Sequence, residues 1–200
     1  MMYNKIVKFT VGVLLFLSPS VVRAGTIEIS AYAANILNPD NSLASIGDFV
    51  QVGTFTPGLN FSTITTFSSL SANFTSLASC VIGAGGYAAG QFDVSVPYTS
   101  GPVGAQLYMW LFNSSIPANA TAWAIVTNTS TGLWVTPPLG PSGYSATEVS
   151  DLLTYVPTGA AGTVLSNGGD IKMALIPEPT SFAMLGSGLL MMGSMIRRRK

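Results

Sequence analysis

Histidine is absent from this chain of 200 residues, and cysteine occurs only once, at Cys80. Without histidine, the chain lacks the side chain that most often transfers protons near neutral pH and most often binds zinc. A Ser-His-Asp triad is excluded for the same reason, and a single cysteine cannot form an intramolecular disulfide. We therefore predict a protein that is not an enzyme, with no catalytic residue, no metal ligand and no cofactor.

Charge is also scarce, since only 8% of the residues are charged and the formal net charge is zero. The basic residues lie near the two ends, and Lys172 is the only one in the long stretch between residues 24 and 196. All acidic residues lie between Glu28 and Glu178. A mildly acidic body cannot neutralise a row of phosphates, which argues against nucleic-acid binding.

Residues 1–24 have the three parts of a secretory signal peptide. Two lysines come first, and residues 9–17 (FTVGVLLFL) then form an apolar stretch that is short for a membrane span. A Ser-Pro pair and a Val-Arg-Ala sequence follow, ending at Ala24. We expect the secretion machinery to export the chain and signal peptidase to cleave it between Ala24 and Gly25.

The other end of the chain has the features of a membrane anchor. Residues 180–196 contain neither a charge nor a proline, and four cations follow directly at 197–200. A helix of this length reaches about 25 Å, close to the minimum for crossing the hydrocarbon core of a bilayer. Basic residues beside a span hold that side in the cytoplasm. We predict a single transmembrane helix at 180–196, a basic cytoplasmic tail at 197–200, and a body outside the cytoplasm.

A Pro-Glu-Pro tripeptide, Pro177 to Pro179, stands directly before the predicted span. Each proline holds φ near −65° and restricts the residue before it to extended geometry. Residues 176–179 should therefore form an extended segment at the membrane surface. A processing enzyme can take such a segment into its cleft, and the simpler alternative is a linker ahead of an anchor.

The tripeptide, the short span and the terminal arginines, in this order, resemble the PEP-CTERM sorting signal of Gram-negative bacteria. The resemblance covers about the last 25 residues. It implies that exosortase, an integral membrane cysteine enzyme, recognises the tail and cleaves near the motif, so that the protein passes through the inner membrane to the cell surface or extracellular matrix. By this resemblance the sorting motif is Pro177, Glu178 and Pro179, and the cytoplasmic stop is Arg197, Arg198 and Arg199. Family members often have valine where this chain has Ile176.

The body, residues 25–175, is rich in Ser, Thr, Gly and Asn, with aromatic and β-branched residues between them, which favours strands and turns. Alternation or short apolar runs predict strands at 26–33, 49–55, 91–96, 105–112, 122–128, 132–137 and 170–176. Residues 105–112 (AQLYMWLF) are apolar on both faces, which predicts a central strand. We expect 122–128 and 132–137 to form a hairpin.

Two further segments favour helices. Residues 145–156 open with a capping box, Ser145 to Glu148, and residues 61–77 carry an apolar side chain at every third or fourth position. Together these elements predict an antiparallel β-sandwich with one or two short helices. The order of VQVGTF, AQLYMWLFN, WAIVTN and LWVTP also resembles a body domain of unassigned function among exported PEP-CTERM proteins, and this resemblance implies no active residue.

Three functions remain open for the body. We expect a structural or adhesive module without enzymatic activity. The alternative is a module that binds carbohydrate, such as an exopolysaccharide, through an exposed Trp123 or Trp134. A glycoside-type hydrolase comes third, and it requires Asp93, Glu148 and Asp170 to meet in one cleft.

Overall fold

The computed structural model describes residues 24–176, except 33, 65, 129–133, 141, 149–153, 156–162 and 165–168. The strands of this part are β1 (Gly25–Ser30), β2 (Ile36–Leu37), β3 (Phe49–Phe55), β4 (Phe74–Val81), β5 (Asp93–Tyr98), β6 (Tyr108–Phe112), β7 (Ala122–Thr127), β8 (Tyr144–Glu148), β9 (Thr154–Tyr155), β10 (Thr163–Val164), β11 (Ile171–Lys172) and β12 (Ala174–Leu175). The helical elements are α1 (Phe67–Ala72) and the 3-10 turns Phe61–Thr63, Ala84–Gly86 and Pro117–Asn119. The prediction of a mainly β chain with a short helix is confirmed.

The strands form three sheets. The main sheet has the order β12-β7-β6-β3-β4, with β9 also paired to β7, and all of its pairs are antiparallel. In the second sheet, β1 lies between β5, which is antiparallel to it, and β8, which is parallel to it. In the third, β11 lies between an antiparallel β10 and a parallel β2. The sheets are therefore mostly, but not entirely, antiparallel.

The central position predicted for residues 105–112 is confirmed, because β6 has β3 on one side and β7 on the other. Side chains alternate along a strand, so β6 contributes to both faces of the main sheet. Met109 and Leu111 belong to a large cluster of buried apolar residues, called the core cluster below. This cluster also contains Ile27 and Ile29 of the second sheet. Trp110 and its neighbours lie on the opposite face. The main sheet is thus buried on both faces at its centre.

The second face carries an aromatic cluster, whose buried members are Phe55, Leu70, Trp110, Phe112, Trp123 and Ile125. Helix α1 covers part of this cluster with Leu70, which is fully buried, and with Phe67. The helix begins where Thr66 accepts a hydrogen bond from the Ser69 amide at 3.2 Å. The short helix therefore serves to shield the aromatic face of the main sheet from water.

The helix predicted for residues 61–77 is only partly correct. In the structure this segment is divided into a 3-10 turn, the helix α1, and the start of β4 at Phe74. Serine and threonine have low helix propensity, and residues 74–81 pair antiparallel with β3 along their whole length. Strand pairing has therefore overridden a weak helical periodicity.

The helix predicted from the capping box at Ser145 is wrong. Residues 144–148 form β8, which runs parallel to β1. Thr147 is fully buried, and its hydroxyl donates a hydrogen bond to the backbone oxygen of Glu28 at 2.8 Å. The local capping signal is overridden because these residues complete the second sheet. The rest of the predicted helix includes 149–153, which lie outside the described residues.

The hairpin predicted for 122–128 with 132–137 is also wrong. Residues 134–136 bond instead to the segment before β6, where the Leu107 amide donates to the Trp134 oxygen at 2.6 Å and the Thr136 amide to the Ala105 oxygen at 2.8 Å. An isolated bridge joins Gln106 to Val135. The predicted strand at 170–176 is also divided, because β11 joins the third sheet and β12 the main sheet.

A close backbone approach in the main sheet gives the first prediction. The β3–β4 register shifts between Val52 and Gly53, and a Cβ added at Gly53 would lie 2.1 Å from the backbone oxygen of Thr75. We expect Gly53→Ala to lower the free energy of unfolding by about 1–3 kcal/mol, because the added methyl group overpacks this site. Urea unfolding measures the change. Ser79→Ala, at an exposed position of β4, is the control. Equal stability of the two variants would contradict the close approach.

Candidate functional site

The aromatic pocket is a cavity of about 300 Å³ at one end of the aromatic cluster. Its lining includes Phe55 at the end of β3, Tyr108 at the start of β6, and Phe61 in a 3-10 turn. The Phe55 ring contacts the other two rings edge-on, with centroid separations of 4.8 Å to Phe61 and 5.2 Å to Tyr108. Burial raises the pKa of Tyr108, so its hydroxyl keeps its proton at neutral pH. The pocket therefore combines ring surfaces with a neutral phenol.

Gln106 also lines this pocket, together with the hydroxyl-bearing residues Thr54 and Thr56. Its amide nitrogen lies 2.8 Å from the Thr127 hydroxyl, 2.9 Å from the backbone oxygens of Asn128 and Trp134, and 3.3 Å from that of Leu107. These oxygens fix the amide orientation, because only the nitrogen can donate to them. The Gln106 Oε1 atom receives no hydrogen bond from the described residues, so it remains a free acceptor.

Sequence reasoning missed this pocket. Gln106 and Tyr108 are two residues apart, which places them on the same face of an extended segment. The signal was a glutamine within the apolar run AQLYMWLF. The partners from the other strands, such as Phe55 and Phe61, could not be found without the strand order.

The polar pocket, of about 600 Å³, lies elsewhere on the body. Its lining includes Asn38, Asp40, Ser45, Asp48, Asn113 and Leu175. Asp48 is 8% exposed and accepts a hydrogen bond from the Ser45 amide at 2.8 Å. Burial raises the pKa of Asp48, although that hydrogen bond opposes the shift. Hydrogen bonds from Ser42 lower the pKa of the exposed Asp40. This pocket thus contains one carboxyl that ionises with difficulty and one that ionises readily.

Trp123 and Trp134, the side chains predicted to stack on sugar, are both buried. Trp123 is 0% exposed and Trp134 is 1% exposed. Trp123 belongs to the aromatic cluster, with its ring 5.7 Å from that of Phe67 in α1, and Trp134 belongs to the core cluster. The prediction that one of them is exposed is therefore wrong. The two rings are buried because both faces of the main sheet are covered.

The indole N–H groups of Trp110 and Trp123 are buried and donate to no oxygen or nitrogen of the described residues. Leaving a buried donor without an acceptor costs free energy. The two rings meet edge to face at 5.7 Å and 78°, and Trp110 meets Phe74 at 5.5 Å and 84°. Such arrangements direct the positive ring edge toward a negative ring face. Trp110 and Trp123 are therefore enclosed within the aromatic cluster, and neither of their rings is open to a ligand.

The predicted carboxylates lie on different elements: Asp93 on β5, Glu148 on β8, and Asp170 directly before β11. Strand register places Asp93 and Glu148 opposite the same residue, Ser30, on the two neighbours of β1. Asp170 instead accepts hydrogen bonds from the backbone and side-chain nitrogens of Asn35, at 2.7 and 3.2 Å. Neither Asp93 nor Asp170 lines the polar or the aromatic pocket. Among the described residues, no group of three or more acidic, cysteine or histidine side chains is arranged to hold a metal ion.

Cys80 lies on β4 and packs against the core cluster. Burial raises the pKa of its thiol to about 12. Because the thiolate is the nucleophilic form, a thiol with this pKa is inert at neutral pH. Cys80 therefore serves as a small packing residue of the edge strand.

The predicted processing residues divide into two groups. Ala24 directly precedes β1, and Gly25 is the first residue of that strand and is buried. Outside the described residues lie the predicted span at 180–196 and Pro177, Glu178, Pro179, Arg197, Arg198 and Arg199. No helix within the described part of the chain is long and apolar enough to cross a membrane.

The raised pKa of Asp48 gives the second prediction. The Asp48 carboxyl holds its proton more tightly in the folded state than in the unfolded state. Protonation of Asp48 therefore contributes its full stabilisation of the fold at low pH. This stabilisation is lost as the pH rises from about 4 through the higher folded pKa. Asp48→Asn keeps an oxygen for the Ser45 amide but cannot ionise. In urea unfolding at a series of pH values, we expect the wild type to lose stability relative to this variant across that window.

Asp40→Asn is the matched control, since Asp40 lines the same pocket and its pKa is lowered. Relative to that variant, the wild type should gain stability as the pH rises toward about 4. Parallel pH profiles for the wild type and Asp48→Asn would contradict the burial of the Asp48 carboxyl.

Comparison with known proteins gives no match: no family model, no curated protein and no solved structure corresponds to this chain. Its function is therefore inferred from its own residues. These residues form the predicted terminal signals and line the aromatic and polar pockets.

Proposed function

We propose that this chain is an exported protein with a PEP-CTERM-type sorting tail, and that its body has a structural or adhesive role without enzymatic activity. In this proposal the body, residues 25–175, is a β-sandwich in which the main and second sheets face each other across the core cluster. The secretion machinery and signal peptidase act on residues 1–24. Exosortase acts on Pro177, Glu178 and Pro179 while residues 180–196 hold the chain in the inner membrane and Arg197, Arg198 and Arg199 stay in the cytoplasm.

The positions of the first and last strands are the observation that supports this proposal most. β1 begins at Gly25, directly after the predicted signal-peptide cut, and it is the middle strand of the second sheet. At the other end, β12 pairs with β7, and the Ile176 amide donates to the Thr121 oxygen at 2.8 Å. Cuts after Ala24 and near Pro177 would therefore leave every described strand in place.

The chemistry of the body supports the absence of enzymatic activity in this proposal. Its thiol is inert at neutral pH, and its histidine content is zero. Asp93 and Asp170, two of the candidates for glycoside hydrolysis, line neither the aromatic nor the polar pocket, and Asp170 accepts a hydrogen bond from the Asn35 amide. A folded module delivered to the cell surface or extracellular matrix, in contact with exopolysaccharide, fits these properties.

The third prediction tests the processing of the tail. In a Gram-negative host that contains exosortase, we expect the intact mass of the released protein to correspond to a chain that begins at Gly25 and ends near residues 177–179. Pro179→Ala or Glu178→Ala should leave most of the protein in the membrane fraction. Pro102→Ala, at an exposed position of the body, is the matched control and should be released normally.

Release of protein that retains residues 180–200 would contradict processing by exosortase. Permanent retention of the wild type in the membrane would make the tail a simple anchor. Loss of release in the Pro102→Ala variant as well would point to misfolding and would count against a specific motif.

A further inference from the structure

The aromatic pocket has the dimensions and the rigidity of a small ligand site. Its volume of about 300 Å³ lies at the lower end of the range for such sites. Phe55 and Tyr108 stand on adjacent strands of the main sheet, and Tyr108 pairs with both Gly53 and Thr127. The pocket can accept a single six-membered ring. It is too small for an amphipathic helix or for the apolar segment at 180–196.

The polar groups of the pocket define what kind of ring it would accept. Gln106 offers Oε1 as an acceptor, and its four contacts at the amide nitrogen prevent the side chain from turning over. The Tyr108 hydroxyl, which forms no hydrogen bond with the described residues, can both donate and accept. A ligand that satisfies both groups must carry a hydrogen-bond donor beside an apolar face, and hydroxyl groups, which donate and accept, suit both Gln106 and Tyr108.

The side chains of the pocket lining also indicate what charge a ligand would carry. The described residues of its lining include neither an acidic nor a basic side chain. A charged ligand would lose its hydration there without gaining a partner. The occupant should therefore be neutral.

We propose that the aromatic pocket binds one neutral pyranose unit of a carbohydrate. The C–H face of the sugar lies against the rings of Phe61 and Tyr108, and ring hydroxyls bond to Gln106 Oε1 and the Tyr108 hydroxyl. The site rests on the adhesive role proposed above and gives that role a ligand class, a neutral polysaccharide. It replaces the sugar contact at Trp123 or Trp134, whose rings are buried.

The test is calorimetric titration of the purified full-length chain, in detergent, with the methyl glycosides of glucose, galactose, mannose and N-acetylglucosamine. We expect saturable binding of at least one glycoside, with a dissociation constant on the order of 1 mM, which is typical of few contacts. Tyr108→Phe keeps the ring and removes one hydrogen bond, so it should weaken binding about 3- to 10-fold. Phe61→Leu should weaken it as well.

Tyr144→Phe is the matched control, because Tyr144 lies on β8 in the second sheet, where its hydroxyl bonds to Glu28. This variant should bind like the wild type. Absence of saturable binding to all four glycosides would overturn the proposal, and so would equal affinity of Tyr108→Phe and the wild type. Binding of p-cresol without binding of any glycoside would show an aromatic ligand instead. None of these failures involves the tail, so the processing experiment would distinguish them from failure of the proposed export.

Discussion

Burial of the main sheet on both faces is the constraint on which the rest of this structure depends. The strand β6 sits at its centre, with Met109 and Leu111 in the core cluster and Trp110 and Phe112 in the aromatic cluster. All four side chains are at most 1% exposed. Burying a large apolar side chain contributes about 1.5–3 kcal/mol to the stability of the fold. A shift of one residue in the register of β6 would exchange the side chains on its two faces. The apolar run of β6 therefore requires a cover on each side.

The two covers differ in kind, and the difference determines where a ligand can bind. The second sheet contributes strand residues such as Ile27 and Ile29 to one face, whereas α1 and the turn at Phe61–Thr63 cover the other. Trp110 and Trp123 pack beneath α1, where both rings contact Phe67. At the start of β6, where the aromatic run meets Gln106, the described residues of this second cover leave a cavity with polar groups in its lining. The candidate sugar site follows from this incomplete closure.

Local sequence patterns predicted strands well and their partners poorly. Residues 49–55 alternate clearly and form β3 over the predicted range, and the apolar run of 105–112 indicated a central strand. The parallel pairing of β1 with β8 could not be predicted, because it joins segments more than a hundred residues apart and contradicts a local helix signal at Ser145. Burial of Trp123 was missed for a similar reason. A strand neighbour and a helix from distant parts of the chain together exclude water from its ring.

Hydrogen exchange of the backbone amides, followed by mass spectrometry, tests the burial of the main sheet most directly. Amides of β6 and β7 should exchange only through global unfolding, because these strands have neighbours on both sides and covers on both faces. Amides of the edge strand β4 that point away from β3 should exchange much faster. Rapid exchange throughout β6, at rates similar to those of β4, would contradict a central strand buried on both faces.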